Sequence, residues 1–190
     1  NLNKLRNTLR TTLIDIWEYV IPIWKITGLF KSIKSKKDLQ NFIQERSAHV
    51  SQTTLYGYLK TRIGVKYIAM MEDEVFLKSI NIAKWNIYLV ALADCSFYVF
   101  SYLISEKNLK ENDCKEIFLN ILENEKKNGL SNEIFDRGKK NFLERLDKVN
   151  FSNYHLNDPF KESGQALYYW SPIADELKSL DKKIVLNSIH

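Results

Sequence analysis

The stretch from Glu72 to Ile104 constrains this chain more than any other. It contains neither Pro nor Gly. It opens on three acids, Glu72, Asp73 and Glu74, and closes in a nearly unbroken apolar run from Ile87 to Ile104. Phe76, Ile80, Ala83, Ile87, Val90, Asp94, Phe97, Ser101 and Ile104 recur at spacings of three and four, which places them on one helical face. Leu77, Trp85, Tyr88, Leu92, Val99 and Leu103 fill the other faces, so the second half is apolar almost all round. Such a helix belongs in a protein core or a bilayer. The acids at its start suit the positive end of the helix dipole.

A membrane span takes about 20 apolar residues. Asp94, Ser96 and Ser101 interrupt the run, and a charge at mid-bilayer costs about 3 kcal/mol on insertion scales. The expectation is therefore a central helix over about 74–104, wrapped by amphipathic neighbours. A buried carboxylate must be paired, hydrogen-bonded or protonated. For Asp94 that predicts a bond to a helix terminus, a tyrosine or a lysine, ahead of a role in a site.

Only three prolines, at 22, 159 and 172, punctuate the 190 residues, and short alternating apolar strands are missing. The pattern predicts an all-α fold, a compact bundle of six or seven helices around the central one. One helical domain over 31–190 would follow a basic amphipathic segment over 1–30.

The net charge of +5 is unevenly spread. Residues 1–70 hold 12 basic and 4 acidic groups, a net of +8, against 16 basic and 19 acidic over 71–190, a net of −3. A basic half can face nucleic acid, phospholipid or an acidic partner, or form a solvated surface. Leu2, Leu5, Leu9, Leu13 and Ile16 make an apolar stripe near the start; Lys4, Arg6, Arg10 and Lys25 are basic, and Trp17 and Trp24 flank Pro22. Basic residues opposite Leu and Trp form the pattern of an interfacial helix. Lys4, Arg6, Arg10, Trp17, Trp24 and Lys25 are thus the candidate contacts to a protein partner or an anionic membrane surface. No helix-turn-helix signature accompanies the charge, so nucleic acid ranks last among partners.

Cys95 and Cys114 are too few for a disulfide framework or a zinc site, and suggest a reducing compartment. No cofactor or metal is expected. No secretory leader is visible in residues that begin at Asn1, and the expected location is cytoplasmic or peripheral to the inner membrane.

Ser35 followed by Asp38 reads as an N-cap with an acid in the first turn, opening a long helix to about Ile63. Leu39, Phe42, Ile43, Val50, Thr54 and Gly57 or Tyr58 mark its expected buried side. His49, Gln52, Tyr56 and Lys60 fall close to one face. His49, Tyr56 and Lys60, with Asp94, are the candidate catalytic residues: His49 as general base, Tyr56 and Lys60 as proton or charge partners, Asp94 as an orienting acid.

Gln52-Thr-Thr-Leu-Tyr-Gly-Tyr-Leu-Lys-Thr-Arg62, Glu72-Asp73, Ser79-Ile-Asn-Ile-Ala-Lys-Trp85 and Trp170-Ser-Pro-Ile-Ala-Asp-Glu-Leu-Lys178 carry a resemblance. Together they resemble an uncharacterised alphaproteobacterial protein family, some of whose members are labelled esterase. The resemblance implies a hydrolase and brings no catalytic residues with it. A serine esterase of the α/β-hydrolase type would need a Gly-x-Ser-x-Gly string.

Asn108 to Asn128 and Ser131 to Val149 read as a helical hairpin, with Asp113 or Asn112 as first cap and Gly129 as the stop between. The loop from Asn150 to Glu162 holds His155 and Asp158, a weaker site candidate. Ser163 is placed to cap a short helix, and Ser171-Pro172 to open another. The leading functional expectation is a non-enzymatic helical protein that binds a protein partner or a membrane surface. An esterase-like hydrolase with a helical active site is the alternative, and nucleic-acid binding the second alternative.

Overall fold

Ser35 accepts a hydrogen bond from the Asp38 backbone N–H at 3.1 Å, and from that cap a helix runs unbroken to Ile63, where Gly64 at φ 58° ends it. The computed structural model describes residues 33–107 and 109–174. The candidate contacts between Lys4 and Lys25, and the short helix expected over Asp181 to His190, lie outside the described residues. The chain divides into two units, Asn1–Lys34 and Ser35–His190, and the helices named below all belong to the second.

Five helices of ten residues or more carry the fold among the described residues: α1 Lys36–Ile63, α2 Glu74–Lys107, α3 Glu111–Lys126, α4 Asn132–Leu146 and α5 Lys161–Trp170. A single helical turn, Tyr67–Met70, and 3-10 turns at Gly64–Lys66 and Tyr154–Leu156 complete them, with no strand among the described residues. The protein is all-α around a central apolar helix, with five such helices among the described residues against the six or seven expected for the chain. Ser171-Pro172 does not open the expected helix within the described residues. The Ser171 hydroxyl donates back to Leu167 O at 2.6 Å and closes α5, and the backbone through Ala174 is not helical.

The central helix α2 is long and apolar enough to cross a membrane by length and composition, and 61% of its apolar window is buried against the other elements. Its first turn is held by Asp73, whose Oδ1 accepts from the Phe76 N–H at 2.7 Å. α1 makes the most extensive pairing with it, followed by α5.

The buried side of α1 differs from the sequence expectation. Leu39, Ile43, Ser47, Ser51, Leu55 and Leu59 form a stripe at every fourth residue, while Val50 is 38% exposed and Gly57 lies outside. The two serines make this possible. Ser47 and Ser51 donate to the carbonyls of Ile43 and Ser47 at 2.7 Å each, which hides their polar atoms inside the helix. Their small size then lets α1 lie close against α2.

Two apolar clusters fill the interior. One stacks Phe118 on Phe142 at 3.6 Å and Phe142 on Phe97 at 5.1 Å, beneath α3 and α4. The other joins Leu55, Leu59, Phe76, Ile80, Ile87 and Leu167. The α3–α4 hairpin turns at Gly129, whose φ of 99° suits a residue without Cβ. Asp113 is not the N-cap of α3. It sits in the first turn and accepts from the Lys110 N–H at 2.9 Å. Ser163 likewise does not cap α5, which begins two residues earlier, so that its hydroxyl turns inward.

Candidate functional site

Asp94 lies at the middle of α2 with no exposed surface. Its carboxylate is met from three directions. Arg145 of α4 donates to Oδ1, and the Tyr154 hydroxyl lies 3.0 Å from the same oxygen. The Ser163 N–H donates to Oδ2 at 2.9 Å, and the Ser163 hydroxyl donates to it as well. Tyr154 has one phenolic proton for both Asp94 Oδ1 and Pro159 O, the latter at 2.7 Å. Burial works against the charge of Arg145, but the Asp94 carboxylate more than offsets it and raises the guanidinium above its ordinary value. Burial first, and then Asp94, push the Tyr154 phenol up. Arg145, the Ser163 N–H and the Ser163 hydroxyl thus donate to its two oxygens, with the Tyr154 phenol beside them. The constellation binds α2, α4, the 154–156 turn and the start of α5 together.

The expected bond to a helix terminus and a tyrosine is therefore present, with an arginine in place of a lysine. His49, Tyr56 and Lys60 are not part of it. Each is half-buried on α1, away from its serine stripe. Helical periodicity keeps those three together, while Asp94 is engaged by Arg145, Tyr154 and Ser163.

His155 packs beside Ser101 on the same side of α2. Its Nδ1 lies 2.7 Å from Ser101 Oγ, and its backbone N–H donates to the same oxygen at 3.2 Å. The Ser101 proton goes to Phe151 O at 2.6 Å, a carbonyl that can only accept. Nδ1 must then carry a hydrogen and donate, which leaves the serine without the proton geometry of an activated nucleophile. Ser101 is 2% exposed. The pair fastens the 151–155 loop to α2.

A second buried carboxylate closes the other side of the bundle. Glu125, at the end of α3, accepts from the Tyr88 hydroxyl and from Gln44 Nε2 at 2.7 Å each, and from Asn128 Nδ2 at 2.8 Å. Burial, and then Glu125, push the Tyr88 phenol up. Lys84 stands 4.9 Å over the Trp85 ring, and its burial lowers the ammonium pKa against the attraction of Glu125.

An open groove lies between α2 and α5, lined by Val90, Glu162, Gln165, Ala166, Tyr169 and Trp170. At its Trp170 end Arg137 of α4 donates to Asn86 Oδ1 at 2.6 Å, with its guanidinium 5.6 Å from the Trp170 ring centroid.

No family model, no curated protein and no solved structure matches the chain. The stretches that carry the sequence resemblance fall on the second half of α1, the α1–α2 connection, the first half of α2 and the residues after α5. Side chains that could hold a metal ion, three or more together, are absent among the described residues.

Sequence reasoning missed Arg145, Tyr154, Ser163, Glu125 and Arg137. Arg145, Tyr154 and Ser163 reach Asp94 across 51, 60 and 69 residues, separations at which no local spacing speaks. For Glu125 a signal existed: it falls one turn beyond Ile121 on the apolar stripe of α3.

Proposed function

We propose that this is a non-enzymatic helical protein that acts by binding a protein partner. The connection between α1 and α2 carries the reading. Over that connection and the first turns of α2, Val65 is 100%, Ile68 54%, Val75 72%, Leu77 43% and Ile82 50% exposed. Large apolar side chains gathered at a surface mark interaction sites when they are contiguous. Lys60 and Arg62 precede them, and Lys66, Glu72, Asp73 and Glu74 are interleaved. Mixed charge around an apolar centre suits the rim of a protein interface. A patch for anionic lipid would carry basic residues alone. The state of the buried groups supports the same reading, because Asp94, Glu125 and Ser101 are engaged in holding the bundle together. The basic segment over 1–30, with Lys4, Arg6, Arg10, Trp17, Trp24 and Lys25, is proposed as a second contact.

The test uses the full chain beside a Val65→Ser/Ile68→Ser/Val75→Ser variant, cross-linked in cells and sized. Circular dichroism checks that helix content is equal, and a chain lacking residues 1–30 runs in parallel. The expected result is a stoichiometric complex that the triple variant loses while staying folded. A complex that survives in the triple variant sinks the assignment to the α1–α2 connection. Sedimentation with anionic liposomes, lost in the same variant, would move the reading to a membrane surface.

A further inference from the structure

We propose that the groove between α2 and α5 is a ligand site for a flat apolar molecule bearing one oxyanion, with Arg137 receiving the anion. The proposal stands apart from the α1–α2 connection and does not depend on it.

Arg137 is exposed, yet it is held from two sides, by Asn86 Oδ1 at 2.6 Å and by the face of Trp170 at 5.6 Å. Asn86 is itself only 6% exposed and is fixed through its Nδ2 to Ile82 O at 2.8 Å. A buried amide on the central helix thus orients a guanidinium at the surface. This is the arrangement by which a supporting side chain preorganises a binding group. A guanidinium has five N–H donors in a rigid fork, and one of Arg137's goes to Asn86. The rest suit the two oxygens of a carboxylate or phosphate.

The groove supplies a place for the body of the ligand. Tyr169, 72% exposed, meets Trp170 edge to face at 5.1 Å, and Val90 and Ala166 add apolar wall. Gln165 contributes an amide that both donates and accepts. Glu162 lies eight residues before Trp170, about 12 Å along the helix at 1.5 Å per residue. Its carboxylate disfavours a second anion at that end and favours a donor there. The arrangement calls for a ligand of one or two fused rings, anionic at one end. An aryl carboxylate and a nucleoside monophosphate both meet that description.

The experiment follows the indole N–H cross-peak of Trp170 in the 15N-labelled full chain, assigned with Trp170→Phe. Indole-3-acetate and adenosine 5′-monophosphate are titrated beside their uncharged counterparts, indole-3-acetamide and adenosine. The expected result is a saturable shift with one anion, at least about tenfold tighter than its neutral counterpart, as a charge-assisted pair should give. Whichever anion wins names the source. Arg137→Gln, a surface change that leaves the remaining spectrum in place, should abolish the preference. The proposal is overturned if no probe shifts the peak at millimolar concentration, if neutral and anionic forms bind alike, or if the preference survives in Arg137→Gln.

Discussion

Arg145 of α4 donates a charge-assisted hydrogen bond to Asp94 of α2, 51 residues away, where the central helix has no exposed surface. The same guanidinium lies 5.1 Å from the Phe97 ring centroid, so its orientation is fixed from both ends. Removing the cation leaves a carboxylate in the core with neutral donors alone. Breaking a buried pair from one side costs about 3–5 kcal/mol. Arg145→Met should lower the unfolding free energy in urea by about that much. Asp94→Leu combined with Arg145→Met should lose less than the two single changes added together. Strictly additive losses would show that the two side chains do not act as a pair.

Lys36 at the start of α1 lies 2.6 Å from Asp113 at the start of α3. The Lys36 hydrogen bond, and then the Lys110 N–H, hold the Asp113 carboxyl below its usual range; Asp113 in turn raises Lys36. A depressed carboxyl contributes stability above its unfolded pKa, about 3.9, and loses it as pH falls through the lower folded value. A raised lysine contributes below about 10.4 and loses it as pH climbs through the higher folded value. The difference in urea midpoint between wild type and Asp113→Asn should therefore be flat from about pH 5 to about pH 10 and collapse on the acid side. A gap of full size at pH 2 would sink the assignment.

Gly138 of α4 faces Leu89 of α2, and a Cβ placed there would come within 2.6 Å of Leu89 Cδ1. Leu89 is 7% exposed, so its side chain has little room to swing away. Overpacking of this kind costs about 1–3 kcal/mol. Because the clashing atom is a side-chain end, Gly138→Ala should fall near 1 kcal/mol. Combined with Leu89→Ala, which removes the clashing methyl, the added alanine should cost almost nothing. Thermal melts of the four chains check this, and equal penalties in both backgrounds would refute the contact.

The sequence made the helices legible where chemistry is local. Ser35 capping Asp38, Gly64 ending α1 and Gly129 turning the hairpin are each read from a few neighbouring residues. It misled where a polar side chain could satisfy itself. Ser47 and Ser51 were not among the residues expected on the buried side, yet each bonds to the carbonyl one turn back and goes inside. That rotated the buried side of α1 away from Val50 and Gly57. For the candidate site, periodicity grouped His49, Tyr56 and Lys60 on one flank, and buried Asp94 on the central helix. It said nothing of which groups would meet that carboxylate.

What the sequence determined by itself is the central rod and its burial, because a run from Glu72 to Ile104 without Pro or Gly, apolar on every face in its second half, has few other places to go. Asp94 had to be engaged for the same reason. Which residues engage it was left to the tertiary structure, since donors from α4, the 154–156 turn and α5 become neighbours only when those elements dock. The pinning of Arg137 between Asn86 and Trp170 was decided the same way, by three segments that share no local spacing.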